Sequence, residues 1–539
     1  MSAAHQFEVV LLLLALVIGL ELLARRVNLP SAAALIVGGI GLALVPGMPQ
    51  IQLDPDLALV LFLPPLLMAS AYVTVWRDFV ANLRIILQLA VGAVLFTTLA
   101  VGVVTHWVAP ALPWAACFAL GAIVSPPDAV AAKAVLARVK LPPRVVVLLE
   151  GESLLNDATG IVLFRVAVAA GLTGTFSVGE AAVSFGMLSA GGVLAGGAFG
   201  FVTMAVLGRL RDPVLVGVTS LLAAWVSYIG AEALHVSGVL STVACGLVIG
   251  VRQHRVLDAA TRTQTRAVWQ AMGFVLESLV FILIGLSLRG VLARLGGTWD
   301  SIISLLPAVA AIVGAVVVSR FIWMIAATYI PRALIPALRR RDPYPPLAVP
   351  IVLSWAGMRG VVSLAIALSL PQGFPGRDFI LATTFAVILV TVLVQGVTLG
   401  PLIRLLKLGE FKLKQSETMA EHEARARVAQ AQLDAVNNES EGHDGAHRHP
   451  RLVEQYAYRA RASARFSTAP DRYGADRAEH FRVVLAAIAA GRAELLRLHE
   501  TNEVHDTVLH ALEEELDLEE MSARRFEGEE QLGSNAAIR

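Results

Sequence analysis

Apolar runs of about twenty residues, the length a helix needs to cross the hydrocarbon core of a bilayer, recur from Phe7 to about Leu406. Lipid offers no partner to an unpaired backbone group, so open strands are excluded there. The runs predict an all-α polytopic membrane protein. Composition agrees, with 56% of residues hydrophobic and only 16% charged, where soluble domains carry about a quarter. A net charge of +1 gives no argument for acidic partners. Cys117 and Cys245 fall inside apolar runs and read as small hydrophobes, not as a disulfide or a metal site. The run Phe7–Ala24 has no positive segment before it, and Arg25 and Arg26 follow it. It reads as a retained first helix rather than a secretory signal.

Thirteen spans are predicted, at 7–24, 30–46, 57–75, 85–108, 114–137, 144–170, 181–207, 214–233, 236–251, 269–288, 302–329, 347–370 and 379–403. Positive residues collect on the cytoplasmic side of a membrane. Arg25, Arg26, Arg77, Arg84, Arg138, Lys140, Arg144, Arg209, Arg211, Arg252, Arg255, Arg262, Arg266, Arg332, Arg339, Arg340 and Arg341 all fall in alternate connections. The other set holds only Arg289, Arg294 and Arg377. This alternation predicts an amino terminus outside and a carboxyl terminus inside. Without a eukaryotic targeting segment, a bacterial plasma membrane is the expected location.

Two spans carry breaks near their middles. The fifth holds Ser125-Pro126-Pro127-Asp128, where two prolines remove two amide donors and clash with the preceding turn. The twelfth holds Gly357-Met358-Arg359-Gly360. Seven spans apart, the two run in opposite directions. Interrupted helices at matching places in antiparallel halves mark the inverted repeats of a secondary transporter, with an ion site at the midplane.

Charges sit at the same depth. The sixth span reads Gly151-Glu152-Ser153-Leu154-Leu155-Asn156-Asp157. Glu152 and Asn156 share one helix face, Ser153 and Asp157 the next. A carboxylate near the bilayer centre is costly and marks a pathway, with a partner nearby. Arg359 is the cationic partner expected for one of these acids. Glu152 reads as its structural neutraliser, Asp128 as either a site acid or a cap on the broken helix. Glu277 and Arg320 read as packing ion-pair residues. Lys133 and Arg165, nearer helix ends, can reach the interface, and His235 reads as structural. Desolvation favours the protonated form of a carboxyl group, and the same group with a serine and backbone oxygens offers hard ligands to a small cation. Proton and cation then compete for one negative charge at Asp157. Asn156 adds a dipole but no second charge, which suggests one-for-one, electroneutral exchange.

The segments Ser125–Ala132, Gly151–Asp157, Trp355–Leu364 and Phe62-Leu63-Pro64-Pro65-Leu66-Leu67 resemble the signatures of the monovalent cation/proton antiporters, type one, over roughly residues 7–406. These include bacterial sodium/proton exchangers related to animal and plant exchangers. The resemblance implies that Asp157 binds the exchanged ion, that Asn156 orients the site, and that Asp128 supports it through crossed helices. It implies further that Ser153 contacts the cation, that Glu152 pairs with Arg359, and that a homodimer carries a moving core on a scaffold. Two departures bear on selectivity. Many members have threonine where Pro127 stands, and some have a glutamate within the stretch occupied by Met68, Ala69 and Ser70. Sodium, lithium and potassium therefore all stay open.

Residues 409–539 form a charged, mostly helical cytoplasmic tail with an expected flexible break over 437–450. His443, His447 and His449 read as part of that solvated linker. From Arg477 to Arg525, the apolar positions Val484, Leu485, Ile488, Leu495, Leu496, Leu498, Val504, Val508, Leu512 and Leu516 form helical stripes. A cation-selective channel or uniporter, a potassium/proton exchanger and an intramembrane enzyme are the competing readings. The last lacks a His-rich constellation or a Gly-x-Ser-x-Gly motif. No cofactor and no nucleic-acid partner is expected.

Overall fold

The computed structural model describes residues 3–27, 29–45, 55–128, 132, 141–174, 177–294, 299–408, 415–441, 448–468, 470–501, 503–504 and 506–537. It divides into two compact units, Met1–Phe411 and Lys412–Arg539.

The first unit is built from helices α1 (Ala3–Arg26), α2 (Ser31–Ala43), α3 (Pro55–Val73), α4 (Trp76–Val108), α5 (Trp114–Val124), α6 (Pro143–Thr173) and α7 (Val178–Leu207). Then come α8 (Pro213–Ala233), α9 (Gly238–Val256), α10 (Ala259–Arg294), α11 (Trp299–Leu334), α12 (Ala348–Trp355), α13 (Val361–Leu368) and α14 (Arg377–Leu405). A short helical turn, Pro336–Arg341, lies between α11 and α12. Seven of these helices are long and apolar enough to cross a membrane. Their outer faces leave large apolar residues such as Leu194, Val202, Leu222 and Ile303 uncovered, as lipid-facing helices do.

Several helices extend past their predicted limits. α4 begins at Trp76 and α10 at Ala259, so Arg77, Arg84, Arg262 and Arg266 are helical residues rather than loop residues. Arg332 likewise stands inside α11. Apolar periodicity marks the buried middle of such helices; their polar ends project beyond it and look like loops in sequence.

The helices sort into two packed groups. In one, α1 and α2 lie against α10, α3 against α9, and α8 against α7, α9 and α10. In the other, α4 packs on α5, α6 and α11, α11 on α12, and α13 on α14. The groups meet where α3 and α10 face α6 and α13. At one end of the second group, Asp342 accepts from Arg144 Nη1 (2.9 Å) and Arg332 Nη2 (2.6 Å), tying α6 to α11. Burial pushes the Asp342 carboxyl up, but the hydrogen bonds and charges of Arg144 and Arg332 outweigh it and hold the group below the usual carboxylate range. A depressed carboxyl contributes stability at neutral pH that is lost only as acid protonates it.

Both predicted breaks coincide with interruptions in the helices. α5 stops at Val124, immediately before Ser125-Pro126-Pro127. Residues 129–131 and 133–140, including Lys133, Arg138 and Lys140, lie outside the described residues. The twelfth span divides into α12 and α13, with Ala356–Gly360 unwound between them.

In the second unit, α15 (Gln415–Ser440) pairs with α16 (Pro450–Thr468), and α17 (Pro470–Glu500) with α18 (Asp506–Ala537). Arg492 bridges the latter pair, donating to Asp517 (2.7 Å) and Glu520 (2.6 Å). Asn437–Ser440, expected to open the flexible break, instead continue α15; residues 442–447, with His443 and His447, lie outside the described residues. Of the predicted stripe, Ile488 and Leu495 are buried, but Val508 and Leu512 are exposed and α18 buries Leu509 instead.

Candidate ion site

The two breaks are joined to each other. Asp128 N donates to Met358 O at 2.7 Å, binding the unwound backbone of one to that of the other. Interrupting a helix leaves carbonyls without amide partners, and in an apolar interior each of them must be satisfied. Arg359, 1% exposed, does most of this. Its Nε donates to Val124 O (2.7 Å), its Nη2 to Ser125 O (3.3 Å), and its Nη1 to Gly357 O. The guanidinium thus caps the carboxyl end of α5, where the helix dipole favours a cation. The expected Glu152–Arg359 ion pair does not form. Arg359 is consumed by backbone carbonyls from both breaks.

Glu152 pairs with Arg320 instead. Arg320 Nη1 and Nη2 grip its two oxygens at 2.7 and 2.9 Å, with both side chains buried. Arg320 also donates from Nε (3.3 Å) and Nη2 (3.1 Å) to Leu353 O, near the end of α12. Gly357 is required here, because a Cβ would overlap the Arg320 guanidinium. Arg320 and Arg359 look alike in sequence, since each is one arginine inside an apolar run. Only the positions of the freed carbonyls separate their roles.

Asn156 is fully buried; its Nδ2 donates to Pro127 O at 2.6 Å, and its Oδ1 has no hydrogen-bond partner among the described residues. One turn of α6 therefore joins the Glu152 clamp to the first break. Pro126 packs against Gly160, where a Cβ would meet the proline ring. Ser125 Oγ accepts from Thr98 Oγ1 (3.1 Å), fixing the start of the break to α4.

Asp157, Asp128 and Ser153 line one cavity of about 400 Å³ at the seam between the two helix groups. Its other walls come from α3 (including Phe62, Ser70 and Tyr72), α10 (including Arg266, Gln270 and Glu277) and α13 (Val362 and Ala365). Asp157 is 8% exposed, and among the described residues no hydrogen bond or ion pair engages its carboxyl. Asp128 lies against Gly360, the residue that caps the start of α13, so the positive end of that helix faces its carboxyl. The arrangement is a pair of acids in the wall of a cavity with room for several waters, backed by polar groups already committed to the backbone. It can hold a proton or a small cation.

Gly360 has φ −126°, a backbone any residue adopts, so its constraint is space: a Cβ there would overlap the Asp128 carboxylate. Gly360→Ala is expected to lower stability by about 1–3 kcal/mol, as for other overpacked sites, and to slow transport by displacing Asp128. Thermal unfolding in detergent and flux in liposomes check the two effects separately.

The sequence reading gathered Asp128, Ser153, Asn156 and Asp157 but missed Arg266, Gln270 and Tyr72, and read Glu277 as a packing residue. The signal was present: Arg266, Gln270, Gly273 and Glu277 follow an i, i+4, i+7, i+11 pattern, one face of α10. Arg165, by contrast, pairs with Glu232 (3.2 Å) away from this cavity, and His235 sits at φ 57° in the turn after α8.

A family model described as sodium/hydrogen exchanger, transmembrane, matches residues 12–405. An uncharacterized Na+/H+ exchanger of Mycobacterium tuberculosis is 33% identical over 529 residues, covering 95% of each chain. The sodium, potassium, lithium and rubidium/H+ antiporter of Bacillus pumilus is 31% identical, over 94% of this chain and 76% of its own. The sodium proton antiporter MjNhaP1 of Methanocaldococcus jannaschii has the same fold: TM-score 0.59 and 19% identity, over 77% of this chain and all of that one. The interrupted-helix fold and its buried acids define a membrane transporter of the monovalent cation/proton antiporter class. The chain belongs to the sodium/hydrogen exchanger family; it is a multi-pass antiporter of cations and protons, not an enzyme.

Proposed function

We propose that the protein exchanges one monovalent cation, sodium first among the candidates, for one proton across the plasma membrane, the two competing for Asp157. The observation that carries this reading is a buried carboxyl without a protein partner among the described residues, in the wall of a cavity it shares with Asp128 and Ser153. Asp128 and Ser153 complete the oxygen ligands. Asn156 holds the first break in place and brings no second titrating charge. The seam between the helix groups supports alternating access, with α4–α6 and α11–α14 moving as a core against a scaffold of the rest. Such motion would turn the acids from one side of the membrane to the other. Thirteen crossings in two inverted repeats, a homodimer, an outside amino terminus and a cytoplasmic tail complete the proposal. The arginines at the helix ends that flank the α3–α4 and α9–α10 connections, among them Arg77, Arg255, Arg262 and Arg266, support a cavity mouth on the cytoplasmic side.

Sodium is favoured by the names of several relatives; the Bacillus pumilus relative is named for potassium, lithium and rubidium as well. A potassium/proton exchanger is therefore the second reading. The test is transport in liposomes carrying a potential-sensitive dye, with each cation supplied in turn. One-for-one exchange moves protons without building a potential and is unaffected by a potassium–valinomycin clamp. A potential that grows with turnover contradicts the stoichiometry, and cation flux without proton counterflow points to a channel.

A further inference from the structure

The exchange reading uses the acids in the cavity wall and leaves unexplained a cation near its mouth. Arg266 lines the same cavity as Asp128, Asp157 and Glu277, yet is exposed to solvent, and no ion pair engages it among the described residues. It stands on the first turns of α10, close to the end of α3 where Val73 is also exposed. Moving inward along the same face come Gln270 and then Glu277, three helical turns from Arg266. The cavity thus has a positive rim and a negative floor. With no ion pair to it among the described residues, the Arg266 guanidinium leaves a positive field that acts on any ion entering from that side.

Resting on the exchange reading above, we propose that Arg266 is a rim charge that sets the apparent affinity for the incoming monovalent cation. It lowers the concentration of cations at the mouth and so raises the half-saturating cation concentration, without touching the ion in the site. A charged, narrow entrance with low-dielectric walls focuses its field inward. Because the mouth is wet, salt screens the effect over about 8–10 Å at physiological ionic strength.

Half-saturation for sodium is measured in neutral-lipid liposomes at low ionic strength, from the side the mouth faces. Arg266→Gln should lower the half-saturating concentration by about threefold to tenfold, the effect of one unit charge acting over roughly 12 Å at an effective dielectric constant of about 20–40, and Arg266→Glu further. Arg266→Lys should match wild type. Maximal rate should change far less than half-saturation, and the differences should shrink when an impermeant salt is added. Arg266→Cys, modified after reconstitution with a cationic or an anionic thiosulfonate reagent, repeats the comparison in one folded protein; the cationic adduct should restore the wild-type value. Equal half-saturation in the Lys, Gln and Glu variants, or a difference that salt does not reduce, overturns the proposal. Wild type and Asp157→Asn run alongside: if wild type itself shows no cation-driven proton flux, the exchange reading has failed, not this one.

Discussion

Asp157→Asn is expected to reduce cation-driven proton flux to that of empty liposomes, while the protein extracts and melts as wild type does or slightly higher. Two effects act in the same direction on stability. The carboxyl is buried, and no hydrogen bond or ion pair among the described residues depends on it. It also shares its cavity with the Asp128 carboxyl, so removing one negative charge relieves a like-charge contact. An amide keeps the shape and binds neither a proton nor a cation in the carboxylate's place. Loss of transport with unchanged or raised melting temperature separates a site residue from a structural one; loss of both would make Asp157 a folding residue.

The second large effect falls on the Glu152–Arg320 pair. Removing one partner from a buried, bidentate pair leaves a charge stranded in an apolar interior, at a cost of about 3–5 kcal/mol. Glu152→Gln and Arg320→Met are each expected to lower the melting temperature sharply and to reduce recovered protein. Replacing both with apolar residues of similar size removes the stranded charge and should recover much of that loss, since a buried pair is often no better than a hydrophobic substitute. Transport should not recover with stability, because Arg320 also holds Leu353 O beside the second break. Arg359→Met should not be rescued by any change at Glu152, because its partners are the carbonyls of Val124, Ser125 and Gly357. Rescue there would restore the pairing that the sequence alone suggested.

The fold was largely legible in the sequence because lipid imposes simple rules. Apolar length marks the helices, and each predicted span holds helix among the described residues. Pro126, Pro127, Gly357 and Gly360 marked both breaks for a reason of chain geometry, and the breaks do meet. What the residues could not reveal is partner choice. Arg320 and Arg359 are equal candidates for Glu152 until the freed carbonyls are placed in space. The polar ends of α4 and α10 were hidden for a related reason: a helix that leaves the apolar layer loses its hydrophobic signature but keeps its backbone hydrogen bonds. Arg266 therefore reads as a loop residue in sequence, although it lines the cavity.

The central claim is that cation and proton are exchanged at Asp157. Its most direct test is the purified protein in liposomes with an imposed pH gradient and an internal pH dye, to which sodium, lithium or potassium is added, wild type beside folded Asp157→Asn. The account predicts that at least one cation dissipates the gradient in wild type and none does so in the variant. A gradient that no cation moves in folded wild type, or that Asp157→Asn dissipates equally well, contradicts it.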